Sequence, residues 1–144
     1  MRVLEWIRTH CKFADAALQI DAAAYDKAFP RAGAVIDGRA VRQEVPNMSS
    51  IGASFNDYEV LDGIREVQMS NFSSFGYANH EENIKSQRLA ELIASLKEIN
   101  PLIVVVDKEG IKKPYVLEGG HRLDALHLLK AKSFPALIVL DLDS

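Results

Sequence analysis

The sequence predicts a mixed α/β domain, and three observations lead to that reading. An amphipathic stretch from Ser86 to Lys97 repeats Leu89, Leu92, Ile93 and Leu96 at helical spacing. The run Leu102 to Val106, just after Pro101, is wholly apolar, as expected of a strand covered on both faces. A second short strand, Tyr115 to Glu118, breaks at Gly119-Gly120 and restarts as a helix with Ala125, Leu126 and Leu129 inward, before a last strand from Ala136 to Leu140. Helix, strand, strand, helix, strand is the order of an α/β (α+β) domain with a small mixed sheet and flanking helices.

A chain of 144 residues with 48% apolar side chains has enough material for one core. Its single cysteine, Cys11, leaves no partner for an internal disulfide, and a reducing, cytoplasmic setting is expected. Arg2, Glu5, Arg8 and Lys12 interrupt every apolar run near the start, which argues against a signal peptide, and no stretch suits a membrane span. The net charge is −3, and residues 46 onward hold ten Lys and Arg against fourteen Asp and Glu. A duplex-DNA binder would show a basic stripe, and none is visible, so DNA is a disfavoured partner.

Leu4, Ile7, Cys11, Ala14, Leu18, Ala22, Tyr25 and Phe29 recur at steps of three and four. They predict one helix, or two meeting near Asp21, ended by Pro30. Such a face packs on its own domain, or else serves a protein partner or self-association. Asp37-Gly38 between Ala34-Val35-Ile36 and Arg39-Ala40-Val41 has the chemistry of a hairpin turn, while Pro46 to Ser54 reads as loop. The seam is therefore placed between an N-terminal helical extension, 1–45, and a second unit, 46–144. In the latter, Asp62-Gly63 reads as a turn and Ile64 to Met69 as the first strand. Phe72, Phe75 and Tyr77 lack a period; they cap a core or, less commonly, stack a nucleobase. His10 and Cys11, with His80, His121 and His127, show no metal-ligand spacing, and zinc is not expected.

The chemistry concentrates at Glu118-Gly119-Gly120-His121-Arg122. A helix start presents unpaired N–H groups and the positive end of the backbone dipole, which suits phosphate. Glycine admits close approach of an oxyanion and the dihedral angles of a tight strand-to-helix turn. Arg122 offers a fork of donors and His121 a donor or proton shuttle near neutral pH. A plain turn followed by solvated side chains is the simpler alternative.

Gly119-Gly120-His121-Arg122-Leu123-Asp124-Ala125 resembles the Gly-Glu-Arg-Arg-x-x-Ala motif of ParB N-terminal domains at the first glycine, the last arginine and the alanine. Gly119-Gly120-His121-Arg122 also resembles the Gly-Gly-Cys-His-Arg motif of sulfiredoxins, with Gly120 where the catalytic cysteine would stand. The resemblance to this ParB/sulfiredoxin-like superfamily spans roughly Gly63 to Leu140. It implies a nucleotide site binding ATP or CTP with Mg²⁺, in which Gly119, Gly120, His121 and Arg122 hold phosphate and Glu118 polarises water or binds the metal. On the preceding helix, Arg88 and Ser95 resemble phosphate-binding residues of sulfiredoxins. Glu91 stands where a serine is expected and would repel phosphate unless it supports magnesium. The implied activity is hydrolysis of a nucleoside triphosphate or phosphoryl transfer. The alternatives are a non-catalytic regulatory or interaction module, and a small nuclease of the kind described for some ParB-like domains. Without the cysteine, sulfinic acid reduction is not expected.

Overall fold

The computed structural model describes residues 12–13, 22–42, 58–73, 80–107 and 114–141. Leu4, Ile7, Cys11, Ala14 and Leu18 lie outside them, as do the loop expected around Pro46 and the aromatics Phe75 and Tyr77. The elements are β1 (Lys12–Phe13), α1 (Ala22–Ala28), β2 (Val35–Ile36), β3 (Arg39–Val41) and β4 (Tyr58–Gln68), followed by a 3₁₀ turn, Met69–Asn71. Then come α2 (His80–Leu96), β5 (Glu98–Ile99), β6 (Leu102–Asp107), β7 (Tyr115–Glu118), α3 (Gly120–Leu128) and β8 (Ser133–Asp141). The mixed α and β organisation is that expected from the sequence.

Five strands form the main sheet in the order β1-β4-β8-β6-β7. β8 lies in the middle, antiparallel to β4 and parallel to β6, and β7 folds back antiparallel on β6. Phe134 to Leu140 are fully or almost fully buried, because a central strand meets neighbours on both edges and cover on both faces. Pro135 is tolerated there since parallel pairing with β6 begins only at the next residue, Ala136. Alternation sorts the side chains. Phe134, Ala136, Ile138 and Leu140 join Leu102, Val104 and Val106 in one cluster with Leu123, Ala125 and Leu126 of α3 and Ala90 and Ile93 of α2. Each large member of such a core contributes about 1.5–3 kcal/mol relative to exposure. The main sheet and the two helices therefore set the frame.

Asp37-Gly38 makes the expected hairpin turn: both residues have positive φ, 50° and 75°, and β2 pairs antiparallel with β3. The hairpin is not isolated from the later chain. β3 runs parallel to β5, Ala40 and Arg42 donate to the carbonyls of Lys97 and Ile99, and Asp37 Oδ2 accepts from Lys132 N at 2.6 Å. Hydrogen bonds thus cross the place where the sequence suggests a seam.

Two local expectations change. Lys12–Phe13, inside the predicted helical region, are extended and pair parallel with Glu59 and Val60 of β4. Asp62-Gly63 does not precede the first strand but sits within it, where the register against β8 shifts between Val60 and Ile64. This is a bulge, and Gly63 takes φ 85°. A side chain on Gly63 would collide with the Arg31 guanidinium.

The bulge has a purpose in packing. It turns the Asp62 carbonyl toward Arg65, whose side chain is almost completely buried at 1% exposure. Arg65 donates to Asp62 O from Nε (2.9 Å) and Nη2 (2.5 Å), and Nη1 reaches Phe29 O (3.1 Å) and the Asp26 carboxylate. A buried guanidinium is tolerable only when so many of its donors are met.

Candidate functional site: the glycine turn and the groove beside it

β7 ends at Glu118, and Gly119 then adopts φ 108°, ψ 27°, a left-handed conformation that residues with a β-carbon resist. A β-carbon there would also stand 2.7 Å from Leu102 Cγ and 3.3 Å from Arg122 Nη2. Gly119 is thus required twice, by its dihedral angle and by the closeness of the turn to β6. Gly120 opens α3 and is not among the positive-φ glycines of the described residues, which are Gly38, Gly63 and Gly119. The first turn of α3 carries no side-chain cap, so its N–H groups face the turn unanswered by a capping side chain.

His121 and Arg122 part company at this point. His121, partly exposed, meets the Glu82 carboxylate through Nε2, tying the first turn of α3 to the first turn of α2. That contact, with a smaller one from Lys85, holds the Glu82 carboxyl below its ordinary pKa. Arg122, which the simpler reading of the turn would leave solvated, is buried at 7% exposure. Its Nη1 donates to Pro101 O at 2.7 Å and Asn100 O at 3.1 Å, stitching α3 to the loop before β6. Burial lowers the pKa of its guanidinium, and the charge of Glu118 acts in the opposite sense. Among the described residues both of its hydrogen bonds use Nη1, and Nη2 and Nε have no partner.

Arg122 also floors a groove of about 220 Å³ between α2 and β5. Leu89, Leu92, Ile93 and Leu96 supply one wall, Ile99 and Asn100 the other, and the Arg42–Glu98 ion pair (3.0 Å) stands at the mouth. Asn100 Oδ1 is buried without a hydrogen-bond partner among the described residues. This groove was not legible in the sequence. The stripe Leu89, Leu92, Ile93 and Leu96 reads as core there, yet Leu92 and Leu96 are 52% and 56% exposed.

The remaining sequence-derived residues lie elsewhere. Glu118 is partly exposed beside the turn. Arg88, Glu91 and Ser95 are exposed on α2, Arg88 and Ser95 one turn from Leu92 at the edge of the stripe, and none of them lines the groove. Among the described residues no three His, Cys, Asp or Glu side chains gather into a metal-holding set. Magnesium commonly needs only one or two carboxylates besides phosphate oxygens and water; Glu118 ends β7 beside the turn, whereas Glu91 is on α2. Phe72 belongs to the core, edge-to-face with Phe134 at 5.5 Å.

Among the described residues no helix is long and apolar enough to cross a membrane. Comparison with protein-family models, with curated proteins and with solved structures finds no match to this chain.

Proposed function

We propose that the chain is a nucleotide-binding domain of ParB/sulfiredoxin-like type, taking the phosphates of a nucleoside triphosphate at the Gly119-Gly120 turn. The observation that carries this reading is the buried Arg122, whose Nη2 stays beside Gly119 while Nη1 is anchored on two carbonyls. A cation held this way is already desolvated and oriented, so an anion meeting it gains a charge-assisted contact without ordering a flexible side chain. The open N–H groups of α3 add to it. Glu82 offsets charge on His121, which leaves most of the anion affinity with Arg122. When bound, Mg²⁺ would neutralise phosphate charge, and Glu118 is the residue placed to help hold it.

Binding without turnover is a second reading, favoured by one arrangement. His121 is engaged with Glu82, and the carboxylates named for metal or water activation, Glu118 and Glu91, lie on different elements. A regulatory module that senses nucleotide needs no more than the turn and Arg122. Both readings are tested by incubating the protein with each of the four nucleoside triphosphates and Mg²⁺, then measuring released phosphate and thermal shift. Release supports hydrolysis, a shift without release supports the sensing module, and neither response removes the nucleotide. Single-stranded and duplex DNA in parallel reactions test for nuclease activity.

A further inference from the structure

We propose that the groove between α2 and β5 is a binding site for a small aliphatic carboxylic acid that carries a hydrogen-bond donor on its second carbon, a 2-hydroxy or 2-amino acid. The inference stands without nucleotide binding at the turn, but the two ligands would draw on the same free edge of Arg122 and would therefore compete. Three features of the groove define the ligand.

The first is the charge at its floor. Arg122 is more than nine-tenths buried and lines the groove, and its Nη2 and Nε donors make no hydrogen bond among the described residues. Neither donor is sealed off from solvent, so a carboxylate can meet the edge of the guanidinium with two oxygens in one plane. One negative charge is the appropriate number. Arg42 and Glu98 neutralise each other at the mouth, and Glu118 already lies in the field of Arg122.

The second is Asn100, which lines the same groove with a buried Oδ1 that accepts nothing. Asn100 also gives its carbonyl to Arg122 Nη1, so acceptor and cation belong to one small region. A hydroxyl or ammonium next to the carboxylate would satisfy Oδ1 once the Asn100 amide turns toward the groove.

The third is the apolar wall. Leu89, Leu92, Ile93, Leu96 and Ile99 offer nothing polar, and the exposed parts of Leu92 and Leu96 gain cover only if an aliphatic body lies against them. A volume of about 220 Å³ is below the roughly 300–1,000 Å³ of sites for drug-sized ligands. It suits a molecule of a few carbons and excludes a whole nucleotide.

The test is titration calorimetry of the full chain with four probes: L-leucine, 2-hydroxyisocaproate, isocaproate and leucinamide. Leucine or hydroxyisocaproate should bind, isocaproate at least several-fold more weakly, and leucinamide not measurably. Which of the first two binds more tightly tells an amino acid from a hydroxy acid. Leu92→Glu, at a half-exposed position that tolerates a charge, should weaken binding at least tenfold and leave the melting temperature close to that of the parent protein. Asn100→Ala should bring leucine down to the level of isocaproate. Leucinamide binding as well as leucine, no binding by any acid, or an affinity unchanged in Leu92→Glu would each overturn the proposal. A triphosphate added to Leu92→Glu separates the two sites: an unchanged nucleotide response leaves the turn standing whatever the acids do.

Discussion

At the scale of single residues, the two glycines of the turn have different work. Gly119 holds a left-handed φ and has Leu102 against the place where a side chain would begin, so Gly119→Ala combines dihedral strain with a steric clash. We expect a loss of about 1–3 kcal/mol, measured by denaturant unfolding. Gly120 lies inside the first helical turn, where alanine is the better helix former by about 1 kcal/mol. Gly120→Ala should therefore keep or raise stability. If phosphate approaches this backbone, the same methyl group should still weaken triphosphate binding, as seen by calorimetric titration. Unchanged affinity in Gly120→Ala would remove phosphate from the turn and leave Arg122 to the groove alone.

At the scale of elements, α3 is held by its first turn at two points. Arg122 ties it to the loop before β6, and Arg122→Ala would leave the Asn100 and Pro101 carbonyls without this donor. A buried acceptor left unmet costs about 1–3 kcal/mol, so the thermal midpoint should fall even without ligand. An exposed anion-binding arginine would give no such drop, so the midpoint of the ligand-free variant checks the burial directly. The second point is Glu82 with His121, between α3 and α2. Because the folded state holds the Glu82 carboxyl below its ordinary value of 4.5, this contact stabilises above that pH. The stabilisation is lost as pH falls from 4.5 through the lower folded-state pKa. Glu82→Gln should flatten that part of the stability profile, and parallel acid unfolding curves for parent and variant would contradict the assignment.

At the scale of the whole molecule, the N-terminal part and the main sheet are joined through Arg65. One guanidinium collects the carbonyl of Phe29 at the end of α1, the carboxylate of Asp26 within it and the bulge carbonyl of Asp62. Arg65→Ala removes all of these together and opens a cavity in the interior, for which about 3 kcal/mol of lost stability is expected by denaturant unfolding. Retained stability would mean that the two parts are joined mainly by backbone hydrogen bonds to β4, Ala32 N to Ile64 O and Glu66 N to Pro30 O.

Local pattern was sufficient for much of this architecture. The wholly apolar run before Asp107 is a strand because β8 and β7 flank it and its faces are covered, and the Asp37-Gly38 turn follows from the few dihedral angles that such a pair accepts. The Gly119-Gly120 break and the helix after it were legible for the same reason: glycine and helical spacing act over a few residues. What stood outside the sequence depends on contacts between distant positions. Nothing near Arg65 or Arg122 in the chain indicates burial, since the carbonyls and carboxylate that make burial tolerable come from 21 to 39 residues away, or, at Asp62, from a bulge visible only against β8. The groove is hidden for a related reason. Periodicity reports that Leu89, Leu92, Ile93 and Leu96 share a face of α2, but only the placement of β5 and Arg122 decides that this face is partly open and has a cation at its foot.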